Sequence, residues 1–136
     1  MKGKSDGTVG FSIQSDEDVI LARQKVRSMA QELGFSLLDQ TKLVTAVSEL
    51  ARNIVVHAGE GSIRVFRLEQ AGRIGLTVRC EDHGPGIPDV GRAMREGFST
   101  VGSLGLGLPG SRRLVDEFRI DSVPGKGTMV EVVKWL

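Results

Sequence analysis

Apolar residues alternate with polar ones at Val9, Phe11 and Ile13, a period of two that predicts a first strand. The period then lengthens. Val19, Ala22, Val26, Met29 and Leu33 recur at helical spacing behind Ser15 and Asp18, a pair that resembles a capping box, and Gly34 ends the run. Ser36 and Asp39 offer a second helix start, after which Leu43, Ala46, Val47, Leu50 and Ile54 lay an apolar stripe to about Val56. The strand-like segments "SIRVFRLEQ" and "RIGLTVRCE" flank "QAGR" and predict an antiparallel hairpin. From Gly84 to about Leu108 there is no periodicity. "GSRRLVDEF" then predicts a short third helix, and Arg119 to Val123 and Thr128 to Trp135 predict two closing strands around "PGKG", whose glycines suit positive φ.

The predicted order, β, α, α, β, β, long loop, α, β, β, fits an α+β fold: a two-layer sandwich with helices on one face of a mixed sheet. The 136 residues suit one domain spanning 1–136, with 1–7 expected to be a flexible N-terminus. The loop from Gly84 is too long for a simple connector. Loops of that length are usually lids, binding loops or disordered, and its few charges favour a lid.

Composition sharpens this picture at one place. Of 18 glycines, eight lie between Gly84 and Gly110, far above the usual share of about 7%. That segment is built for access to the backbone. The net charge of +1 comes from 18 basic and 17 acidic residues mixed along the chain, which gives no electrostatic reason to bind nucleic acid or a membrane surface. No window reads as a signal peptide or a membrane span, so a soluble, cytoplasmic protein is expected. Cys80, the single cysteine, alternates with Ile74, Leu76 and Val78 and is expected in the core rather than as a reactive thiol.

Three stretches could carry chemistry. In "SELARNIVVH", Glu49 and Asn53 stand one turn apart at the border of the buried face of the second helix. They are either a solvated helix edge or a carboxylate and an amide lining a groove, able to take a proton and to bind a metal. In "EDHGPGIPD", Asp82 follows the strand that ends at Cys80. A carboxylate there can accept from an exocyclic amine, and Gly84 and Gly86 let a flat ligand approach the backbone. An Asx-turn with glycines serving backbone conformation alone explains the same residues. The third stretch, "STVGSLGLGLPGSRRL", holds a G-x-G-x-x-G match at Gly105, Gly107 and Gly110, but no hydrophobic strand precedes it, so a dinucleotide-binding domain is rejected. A glycine loop opening into a helix with Pro109 near its first turn still suits a phosphate. Gly127 and Thr128 begin the last strand, where a hydroxyl could reach a ligand directly or through water; His57 and His83 have no second ligand at metal-binding spacing.

Taken together and in order, Glu49-x-x-x-Asn53, Asp82-x-Gly84-x-Gly86, Gly105-x-Gly107 and Gly127-Thr128 resemble the four motifs of the GHKL ATP-binding superfamily, whose members share the Bergerat fold. The resemblance runs from about Val9 to Leu136. Within that superfamily the short form is similar to the anti-sigma-factor serine/threonine kinases, and "VSELARN", "EDHGPGIPD" and "EGFSTVGSLGLGLPGSRRLVDEF" resemble the switch kinases of the stressosome.

That resemblance implies ATP as substrate and Mg²⁺ as cofactor. It implies Asn53 on the metal, Glu49 as general base, Asp82 on the adenine amino group with Thr128 assisting, and Gly84, Gly86 and Ile87 around the base. It implies a lid from Ser99 to Leu108, including Thr100, Gly105, Leu106 and Gly107, that closes on the phosphates. It further implies a kinase acting on STAS-domain stressosome proteins as a partner switch, which then activates a PP2C-type phosphatase. The chain has no room for an acceptor domain of its own, so the substrate is expected in trans. The alternative is a non-catalytic anti-sigma-type binding module that uses nucleotide as a conformational latch, for which a carboxylate at Glu49 would not be required.

Overall fold

The computed structural model describes residues 8–95 and 107–136. The predicted elements up to the glycine-rich stretch are present: β1 (Val9–Ile13), α1 (Asp16–Leu33), α2 (Leu37–Asn53), β2 (Gly61–Gln70) and β3 (Arg73–Asp82). Both long helices start as their sequences dictate. Asp18 N donates to Ser15 Oγ at 3.3 Å and Asp39 N to Ser36 Oγ at 3.1 Å, each satisfying one of the unpaired donors of a first turn. Gly34 closes α1, its N–H donating to the carbonyls of Ala30 and Gln31.

Beyond β3 the chain forms α3 (Val90–Ala93), α4 (Leu108–Arg113), β4 (Glu117–Val123) and β5 (Gly127–Trp135). α3 lies inside the segment expected to be all loop, and Asp89 caps it by accepting from Arg92 N at 2.9 Å. The third predicted helix, expected to run to Phe118, ends at Arg113, and the strand after it begins two residues earlier than expected. Pairing with β5 overrides the helical pattern there. Asp116 N donates to Val133 O, the Asp116 carboxylate accepts from Trp135 N at 2.7 Å, and Glu117 accepts from Trp135 Nε1 at 2.7 Å.

Five strands form one sheet in the order β1-β2-β3-β5-β4, and every neighbouring pair is antiparallel. The fold is α+β as expected, but the sheet is antiparallel and not mixed. β3 and β4 do run in the same direction, yet β5 is inserted between them and removes the parallel contact. None of the helices among the described residues is long and apolar enough to cross a membrane.

The strand register explains why a site lies at one end of this sheet. Val65, Val78, Val132 and Phe118 form one cross-strand row, and Ile63, Cys80, Val130 and Ile120 form the next on the same face. These rows pack against Val26 of α1 and Leu43, Val47 and Leu50 of α2 in a single apolar core. One period further on, the row reads Gly61, Asp82, Thr128, Ser122. The apolar face turns polar there, and the core opens into a cavity.

Candidate functional site

The cavity has a volume of about 280 Å³ and is lined by residues from α2, β3, the exit of β3, the start of α4 and β5. Its size lies at the small end of ligand clefts, which span about 300–1,000 Å³. Asn53, Asp82, Gly86, Ile87, Leu108 and Thr128, six of the positions expected to bind nucleotide, all face it. Sites distant in the sequence therefore converge.

Asp82 and Thr128 are direct partners across β3 and β5, which puts both side chains on the cavity side of the sheet. Asp82 Oδ1 accepts from Gly84 N at 2.9 Å, so the Asx-turn reading is correct for one carboxylate oxygen. Among the described residues no other hydrogen bond to the Asp82 carboxylate is made, which leaves Oδ2 available to the cavity it lines. The apolar walls are Leu50 and Ile54 behind Asn53, Cys80 and Val130 beneath, and Pro85 and Pro88 along the exit of β3. Burial, with the nearby charges of Asp82 and Glu81, pushes the Cys80 thiol from 9.0 up to about 12, so the floor of the cavity is uncharged.

The glycines of the β3 exit have packing roles that their sequence context did not reveal. A β-carbon at Gly84 would stand 2.6 Å from Cβ of Ala58, and Gly84 is held against the π-helical turn Ile54–Ala58 that continues α2. At Gly86, φ is 76° and a β-carbon would meet the Val123 carbonyl oxygen at 2.5 Å. The exit segment is thereby clamped to the β4–β5 turn, and Gly125 N donates to Pro85 O at 2.7 Å. Gly86 contributes to the cavity wall, whereas Gly84 is not among the lining residues.

Glu49 stands one turn before Asn53 on α2, half-buried, with its carboxylate against Gly107 at the N-terminal end of α4. Gly107 and Leu108 are the described part of the expected lid, and Leu108 is buried in the cavity wall. Ser99, Thr100, Gly105 and Leu106 lie outside the described residues, as does the expected flexible N-terminus. His57 lines the cavity mouth, and no cluster of three or more His, Cys, Asp or Glu that could hold a metal is present among the described residues.

Sequence reasoning missed Ser122. Its Oγ accepts from Ile87 N at 2.7 Å and lies 2.9 Å from Thr128 Oγ1 and 3.2 Å from Gly127 O. Counting outward from the "PGKG" turn would have found it, because a turn that pairs Val123 with Gly127 places Ser122 opposite Thr128.

A family model described as histidine kinase-like ATPase domain matches residues 14–134. The serine/threonine-protein kinase RsbT of Bacillus subtilis is 50% identical over 124 residues, covering 91% of this chain and 93% of that protein. An anti-sigma F factor of Caldanaerobacter subterraneus subsp. tengcongensis is 31% identical over 132 residues, covering 91% and 90% respectively. Among solved structures, the RsbU and RsbW domains of a Mycobacterium tuberculosis protein align with a TM-score of 0.57 at 20% identity. That alignment covers 93% of this chain and spans about a third (32%) of the other. The catalytic domain of the histidine kinase ThkA aligns with a TM-score of 0.51 at 14% identity, covering 93% and 95%. Both structural likenesses concern the fold alone.

Proposed function

Because the chain belongs to the histidine kinase-like ATPase domain family, we propose that it is an ATP-dependent serine/threonine protein kinase whose nucleotide occupies the cavity between α2 and the polar end of the sheet. The observation that carries this reading is the convergence of Asp82, Thr128 and Asn53 on one cavity whose remaining walls, His57 at the mouth apart, are apolar. A flat base fits such walls, and the two polar groups at the sheet end suit its exocyclic amine.

Asp82 Oδ2 accepts from that amine, and Ile87 and Leu108 cover the ring. Asn53, one turn after Glu49 on α2, would offer an amide oxygen to Mg²⁺. With no group of three or more His, Cys, Asp or Glu that could hold a metal among the described residues, the ion would be held mainly by phosphate oxygens and water, which is how Mg²⁺ commonly binds in nucleotide sites. When bound, it supplies neutralisation of phosphate charge. Glu49 takes the proton of a serine or threonine hydroxyl. The freed oxygen bonds to the γ-phosphorus as the bond to the β–γ bridging oxygen breaks, and ADP departs. Little further covalent help is needed, because phosphoryl transfer depends on alignment and charge stabilisation.

The 50% identity to RsbT supports a substrate among STAS-domain stressosome proteins, with a partner switch that then activates a PP2C-type phosphatase. The 31% identity to an anti-sigma F factor favours a second reading, a module that sequesters its partner with nucleotide as a latch. Incubation with γ-labelled ATP, magnesium and a purified STAS-domain protein separates them. Label on a serine or threonine of the STAS protein is expected; stable complex formation without label would leave the latch and remove the kinase.

A further inference from the structure

We propose that Ser122 is a positioning residue that turns the hydroxyl proton of Thr128 away from the cavity, so that the sheet end of the pocket accepts hydrogen bonds and selects a 6-amino over a 6-oxo purine. This inference rests on the nucleotide reading given above and adds a residue and a specificity to it.

The argument is a proton inventory. Ser122 Oγ meets Ile87 N at 2.7 Å, Thr128 Oγ1 at 2.9 Å and Gly127 O at 3.2 Å. A hydroxyl has one proton and two lone pairs. The Ile87 amide can only donate, so it takes one lone pair. The Gly127 carbonyl can only accept, so it takes the proton. The remaining lone pair can be used only if Thr128 donates. All three contacts are hydrogen bonds in that arrangement alone, and it saturates Ser122.

Thr128 then has no proton to offer the cavity, only lone pairs. Asp82, its partner across β3 and β5, also presents an acceptor, because the Asx-turn uses Oδ1 and leaves Oδ2. Two acceptors side by side match a donating amine. A carbonyl at the same ring position would bring lone pairs against lone pairs, and the N1–H that accompanies it in a 6-oxo purine satisfies at most one of the two acceptors, whereas the amine has two hydrogens to give. The partners of Ser122 come from the exit of β3 and from the first two residues of β5, so one hydroxyl sets the orientation of Thr128 relative to the wall that Ile87 forms.

The test uses the full chain and compares Mg–ATP with Mg–ITP, which differ in the 6-substituent and in the proton that ITP carries on N1, by isothermal titration calorimetry. The wild type should prefer ATP. Ser122→Ala frees the Thr128 proton to rotate into the cavity, and should narrow the ATP-to-ITP ratio about tenfold, chiefly through tighter ITP binding. Ser122→Thr should restore the ratio, and Ser122→Ala should change nothing further in a Thr128→Val background. Equal weakening of both nucleotides in Ser122→Ala would show that Ser122 only holds the fold, and would overturn the proposal while leaving the ATP site intact. Failure of the wild type to bind either nucleotide would instead remove the nucleotide reading itself. Should Ser122→Ala not fold, Thr128→Val decides: loss of its acceptor must narrow the ratio, and an unchanged ratio overturns the proposal.

Discussion

A β-carbon at Gly107 would stand 2.6 Å from Oε2 of Glu49 and 3.2 Å from its Cδ, so the carboxylate of α2 packs on the backbone that opens α4. Gly107 has φ of 65°, a left-handed conformation that costs other residues roughly 1–2 kcal/mol. Gly107→Ala should therefore lower stability by about that amount and displace the proposed base. Phosphotransfer should fall further than ATP affinity does. Urea denaturation with a single-turnover assay checks both parts, and undiminished transfer in a destabilised variant would separate Gly107 from the chemistry.

Glu49→Gln keeps the shape of the side chain against Gly107 and removes its capacity to take a proton. Transfer to the protein substrate should fall by about 100-fold or more, in the range of a lost general base, while ATP affinity stays near that of the parent. Rapid-quench measurement of one turnover is the direct check, since it is insensitive to product release. Retained turnover would take the base role from Glu49.

How much of this site could be read in advance depended on whether its cause was local. Asp82, Thr128 and Asn53 were legible because strand alternation and helical spacing fix which side each faces, and the cavity lies where those periods run out of apolar residues. The glycines of the β3 exit were legible only as a cluster. Gly84 answers to Ala58 on a π-helical turn, and Gly86 to the Val123 carbonyl, contacts set by tertiary packing. The end of α4 was misread for the same kind of reason: Asp116 and Glu117 look helical until Trp135 presents two N–H donors to their carboxylates. Ser122 was missed because its role belongs to a hairpin register and has no motif.

Gly86→Ala tests the packing account. At φ of 76° a β-carbon is strained, and it would lie 2.5 Å from the Val123 carbonyl oxygen and 3.1 Å from Cα of Pro124. Backbone cannot swing aside as a long side chain can. The combined cost of strain and overpacking should be about 2–4 kcal/mol, measured as a shift in the denaturation midpoint without a change in its slope. A neutral substitution would mean that the β3 exit is not clamped to the β4–β5 turn.

Cys80 gives a prediction with a pH sign. Its thiol is raised from 9.0 to about 12 by burial, then by Asp82 and Glu81. The folded form holds its proton more tightly than the unfolded form, so this contribution to stability is fully present below about pH 9 and is lost as pH rises toward 12. Cys80→Ala should flatten the alkaline loss of stability in that window. At neutral pH the native thiol should resist a disulfide reagent and react once urea unfolds the chain. Rapid labelling of folded protein would contradict the buried placement.

Asp82→Asn separates the two jobs of one side chain. The amide oxygen of asparagine can still accept from Gly84 N, so the Asx-turn at the β3 exit should survive and the melting temperature should change little. The other oxygen becomes an NH₂ group, a donor facing the amine it is proposed to bind. ATP affinity should weaken by about 1–3 kcal/mol, the cost of losing a charged hydrogen bond at a buried contact. Adenosine, which lacks phosphates, should lose a similar amount, because the change lies at the base end of the cavity. Calorimetry on both ligands makes the comparison. Equal ATP affinity in mutant and parent would place the base elsewhere, and with it the orientation proposed for the phosphates toward Asn53 and Glu49.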